Sequence, residues 1–111
     1  LVTIQPLWAP QFLTAVAVVY YTATSRTQID KITVSNPQAG TPYSVQIWWV
    51  PASGSDGPSN NISPTRQLQP LESWDVWQLI GHTLGVGDTI QAAASVDGVL
   101  AFFGSGRLMT P

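Results

Sequence analysis

The sequence predicts an all-β fold, an antiparallel β-sandwich or jelly roll of about seven or eight short strands. Three observations predict it. Tyr43, Val45, Ile47 and Trp49 alternate with Ser44, Gln46 and Trp48, a period of two that puts one set on each face of a strand. Nine prolines and nine glycines fall mostly between apolar stretches, where turn residues stand in a β protein. No segment sustains a helical period over about three turns.

In chain order, residues 1–10 carry Pro6 and Pro10 with Trp8 between them. Proline removes a ladder donor and holds its predecessor extended, so the segment reads as an arm or an edge strand. We take it as an extended N-terminal arm ahead of a single domain, residues 11–111. Residues 11–23 read as one long strand, because Val16, Val18, Val19, Tyr20, Tyr21 and Thr22 outweigh the helix-compatible Ala and Leu. In residues 27–35, Ile32 and Val34 share a face ahead of a turn at residues 36–40. The strand that follows places Trp49 in the core with Tyr43, Val45 and Ile47, and Trp48 on the outer face. Residues 51–64 are almost all Pro, Ala, Ser, Gly, Asp and Asn, and read as a long exposed loop. A strand carrying Arg66 and Leu68 then reaches the turn at Pro70. Residues 73–79 read as another strand, with Trp74 and Val76 opposed to Trp77 and Leu79, so one of the two tryptophans belongs to the core. Residues 80–85 allow at most one helical turn. Residues 88–96 and 99–109 read as a hairpin closed by Asp97-Gly98, a favoured two-residue type I′ signal.

Composition narrows the function. Charged residues make up 9% of the 111-residue chain and apolar residues 44%, against about 25% charged in an ordinary soluble domain. So few charges leave a surface largely uncharged, as in subunits that live inside an assembly. The formal charge is −2 with no basic cluster, which disfavours nucleic acid. Cysteine is absent, and with it disulfides, thiolate metal sites and thiol catalysis. The longest apolar run, residues 15–21, is far short of the roughly 20 residues that cross a bilayer, and residues 1–10 lack the basic start of a signal peptide.

Chemistry-bearing constellations are not apparent either. The single histidine, His82, sits in a Gly-flanked turn with no nucleophile motif, and a lone His cannot close a transition-metal site. Asp56, Asp88 and Asp97 each adjoin a glycine and read as turn residues, which leaves few acids for a glycosidase pair. Gly85-Val86-Gly87 lacks the third glycine, helix and Lys of a phosphate loop. We expect no enzymatic activity, no metal and no cofactor.

What remains is contact. Five tryptophans are many for this length, and Trp is enriched at interface hot spots. Trp8, with Leu1, Ile4 and Leu7 of the arm, is the expected apolar anchor, because a free arm cannot bury a Trp by itself. Trp48 is a second candidate. Arg66 and Arg107 are candidates for bidentate contacts to a partner's carboxylates or carbonyls. The aromatic content also fits a carbohydrate-binding surface, for which coplanar exposed rings would be the sign.

Two-thirds of the chain carries a strand-and-turn pattern. Ile29-Asp30-Lys31-Ile32-Thr33-Val34-Ser35-Asn36 is followed by Val50-Pro51-Ala52-Ser53-Gly54, then by Leu84-Gly85-Val86-Gly87-Asp88-Thr89-Ile90-Gln91-Ala92. This resembles small β-sandwich virion proteins of tailed phages, in particular the decoration or staple proteins of short-tailed phages. The resemblance implies a capsid protein on the outer surface of the virion, a homodimer that ties neighbouring major capsid protein subunits together. Similar sandwiches also occur at necks, head fibres and tails, where an adhesin or carbohydrate-binding role is the alternative.

Overall fold

The computed structural model describes residues 1–54, 57 and 60–109. Among them lie nine strands: β1 (Val2–Phe12), β2 (Val18–Thr22), β3 (Arg26–Ser35), β4 (Tyr43–Val50), β5 (Asn61–Leu68), β6 (Ser73–Asp75), β7 (Thr83–Leu84), β8 (Thr89–Ala94) and β9 (Ala101–Met109). A 3₁₀ turn, Trp77–Leu79, stands between β6 and β7. One sheet has the order β1-β9-β3-β6, with the short β7 also against β3, and the other has the order β2-β8-β4-β5. Every pairing is antiparallel. The first strand lies beside the last, and most connections change sheets, which is the jelly-roll arrangement. The expected all-β sandwich is the fold.

The core fills the space between the sheets with Leu13, Ile29, Ile32, Val34, Val45, Ile47, Leu68, Leu79, Leu84, Ile90, Leu100 and Phe102, all fully or almost fully buried. Strict alternation would send Ile29 and Ile32 to opposite faces. A register shift between Ile29 and Lys31 in the β3–β9 ladder puts both inside, with Asp30 and Lys31 taking up the extra residue. At the end of β3, Asn36 is fully buried. Its amide donates to the carbonyls of Thr41, Leu68 and Gln69, and its Oδ1 accepts from the Gln38 N–H. One polar side chain thereby ties the 36–41 turn to the end of β5.

Several expectations need correction. Residues 1–10 are no arm: they form most of β1, the edge strand of its sheet, paired with β9 from Val2–Met109 to Phe12–Ala101. Residues 11–23 are not one strand, because the chain bends after Phe12, buries Leu13, and starts β2 in the other sheet. The Leu13 N–H donates to Leu100 and the Gly98 N–H donates to Leu13, which fixes that bend. Asp97-Gly98 closes no hairpin, since β8 and β9 lie in different sheets. Its turn carries the chain across the sandwich, with the Asp97 carboxylate accepting from the Ala15 N–H. The strand expected over residues 73–79 stops at Asp75, and β5 begins inside the expected loop, at Asn61.

Candidate protein-contact surfaces

Trp8 decides how β1 is held. Its ring stacks on Phe102 with centroids 4.8 Å apart, and its indole N–H donates to the Phe102 carbonyl at 3.3 Å. The ring lies over Gly104: a Cβ there would come within 2.5 Å of it. Gly106 similarly faces Leu7 and the Gln28 carbonyl. Two glycines spaced by one residue on the inner face of β9 thus make the trough that β1 fills with Trp8 and Leu7, both buried. Trp8 at 7% exposure and Leu7 at 9% are core residues, and neither can anchor a partner. The glycine pair in β9 was the sequence signal for a bulky neighbour.

Trp48 lies on the outer face of β4 as expected, yet it is buried as well, and its indole N–H donates to the Asn61 side-chain carbonyl at 2.9 Å. Trp49 faces inward at the mouth of the sandwich, half-buried, with its N–H on the Asp88 carboxylate at 3.2 Å and its ring edge-on to His82. Asp88 also accepts from the N–H groups of Gly85 and Ala52, so it locks the 85–88 turn against the end of β4. Trp74 is the core member of its pair, and Trp77 projects outward at 68% exposure.

The two candidate arginines are engaged within the chain. Arg66 lies 4.4 Å over the Trp74 ring, and Arg107 pairs with Asp30 at 3.1 Å. Lys31 and the Thr33 hydroxyl both meet Asp75, and Glu72 accepts from the Gln69 N–H. All five acids among the described residues therefore hold a turn or a strand in place; Asp56 lies outside those residues. Among the described residues no group of three His, Asp or Glu side chains is placed to hold a metal ion.

The expected interface set thus separates into two groups: Leu7, Trp8 and Trp48 are inside, while Leu1 and Ile4 remain on the surface. The residues around Leu1 and Ile4 had not been singled out, and they form the main apolar surface. Among the described residues, seven of the thirteen exposed large apolar side chains, Leu1, Val2, Ile4, Phe12, Val16, Val18 and Val19, come from the first nineteen residues. They lie in or next to β1 and β2, the edge strands of the two sheets on one flank of the sandwich. No Asp, Glu, Lys, Arg or His occurs before Arg26. A second set, Leu71, Trp77 and Ile80, belongs to the segment around β6. No protein-family model, curated protein or solved structure matches this chain, so its function is read from these surfaces.

Proposed function

We propose that this chain is a non-enzymatic structural protein of a tailed-phage virion, a decoration or staple subunit on the outside of the capsid. The observation that carries the reading is the pair of apolar surfaces at opposite ends of one sheet. The β1/β2 flank lies at one end, and Trp77 with Ile80 follow β6 at the other. A staple needs two separate contacts on one rigid body, and monomeric proteins rarely leave such patches uncovered. Trp77 replaces Trp8 as the anchor toward the major capsid protein: it is large, mostly exposed and outside the core. Weak contacts repeated over a symmetric shell add through effective concentration, and binding only the assembled shell stabilises that shell.

The test is addition of purified protein to undecorated heads of the phage that encodes it, followed by sedimentation and imaging. Saturable occupancy at defined lattice positions is expected, with Trp77→Ala reducing it by at least about tenfold. Equal occupancy by Trp77→Ala would remove Trp77 from the contact, and no binding to any head would remove the capsid reading.

A glycan-binding role at a neck or tail has one observation in its favour. The mouth of the sandwich forms a hollow of about 320 Å³ lined by Trp49, Pro51, Asn60, Ile62 and Asp88. An indole, a carboxylate and a carboxamide are groups that hold a sugar ring. Against it, Trp8, Trp48 and Trp74 are buried and make no platform of coplanar exposed rings. Glycan-array binding that Trp49→Ala abolishes, without binding to heads, would favour this second reading.

A further inference from the structure

We infer that the β1/β2 flank is the seat of a second copy of this chain, docked edge to edge across a twofold axis. The argument begins with what edge strands normally carry. An uncovered edge offers unpaired N–H and C=O groups, and natural sheets protect it with charges, prolines, bulges or short strands. β1 is eleven residues long, β2 forms the neighbouring edge of the other sheet, and no charge occurs in either. The nearest ionic groups are Asp97, whose carboxylate is held by the Ala15 N–H between the two strands, and the Arg107–Asp30 pair, one and two strands in from the edge.

Bulges break the register of β1 only after Pro6 and that of β2 after Val19, and β2 is five residues long, so protection by bulges and prolines is partial. Pro6 and Pro10 interrupt the second half of β1 and leave Val2 to Gln5 without a proline. A proline in an edge strand is tolerated where its nitrogen faces the open side. The register runs unshifted from Val2 to Pro6, so the backbone groups of Val2 and Ile4 share the open side with Pro6. Their side chains lie on the outer face with that of Pro6, exposed at 57% for Val2 and 72% for Ile4.

A second copy satisfies these features together. A twofold axis perpendicular to the sheets brings β1 against β1 and β2 against β2, antiparallel, and continues both sheets across the contact. It also sets apolar side chains against identical ones with no like charges to repel. The size agrees. A strand of eleven residues at about 3.4 Å each, taken with the 20 Å shortest extent of the molecule, gives a flank of at most about 750 Å². A stable pair buries about 800 Å² per partner.

The inference rests on reading the flank as a contact surface, and it leaves the shell to the Trp77 side. The experiment is light scattering on the purified full chain across a dilution series. The expected mass is that of two 11.9 kDa chains at micromolar concentration. Ile4→Lys and Val19→Lys should each raise the dissociation constant by at least about a hundredfold, because each puts an ammonium group from both copies into an apolar contact. Their circular dichroism should match the parent's. Gln67→Lys, on the exposed edge strand β5 of the opposite flank, should leave the dimer unchanged. A parent that stays monomeric at all concentrations, or a dimer indifferent to both flank lysines, would overturn the inference. A monomer that still decorates heads would do so while leaving the capsid reading intact, whereas a dimer that ignores every head would do the reverse.

Discussion

The two flanks of this sandwich manage the same problem in opposite ways. At the β5/β6 flank the sheet edges are guarded. β6 is only three residues long, β5 carries Pro64, and Arg66 reaches over Trp74 from one sheet to the other. Asp75 adds a charge, held by Lys31 and Thr33. At the β1/β2 flank the interior is as well built, with Trp8 stacked on Phe102 over Gly104, but neither edge strand carries a charge and β1 is only half interrupted by proline. Charge guards the edge on one side, whereas the other relies on two prolines, the bulges of β1 and β2 and the shortness of β2, none of which falls between Val2 and Gln5. An uncharged edge on a well-packed strand fits the proposed contact with a second copy, since loose packing would otherwise explain an exposed strand.

That contrast can be broken by uncoupling inside from outside on each flank. The largest effect is expected from Trp8→Ala, which removes the stacked indole and leaves a cavity. Denaturant unfolding should show a loss of about 3–5 kcal/mol, with release of β1. A stability close to the parent's would mean that β1 is peripheral, and would restore the free arm. Gly104→Ala is the next test, because its methyl group would meet the Trp8 ring. A loss of about 1–3 kcal/mol is expected, and Trp8 fluorescence should shift as the ring is displaced. The smallest effect of the three is expected at the guarded flank. Arg66→Ala should cost about 0.5–1 kcal/mol, the range of a surface cation–π contact, as read from the thermal midpoint. A loss as large as that of Trp8→Ala would show that the sheets depend on this bridge far more than its exposure implies. In contrast with all three, the flank lysines of the dimer test change surface chemistry alone, so their folding stability should stay within about 0.5 kcal/mol.

The chain shows where reading along a sequence succeeds. Alternation in β4 correctly separated Trp49 from Trp48, because the side-chain period of a strand is a local property. The segment 27–35 was also legible as a strand, although the bulge after Ile29 was not, since two apolar residues three apart fit either a bulge or a slip in face. The outer-face position of Trp48 left open whether a partner or a neighbouring strand covers it, and only the tertiary fold buries it against β5. Trp77 was read into a strand, where alternation assigns faces; in the 3₁₀ turn that rule no longer holds, and Trp77 projects into solvent.

Composition and local pattern by themselves determined the class of this protein: all-β, charge-poor, free of cysteine, and with its turns at Pro and Gly. Those features follow from short-range sterics and from the energy of leaving charge out, and they need no knowledge of which strand lies beside which. Tertiary structure alone decided that β1 pairs with β9, the two ends of the described chain, and that Asp97-Gly98 crosses between sheets. It also placed Trp8 over a glycine that stands 96 residues later. Such choices are settled by burial summed over many distant pairs, and a residue's own neighbours in sequence carry little record of them.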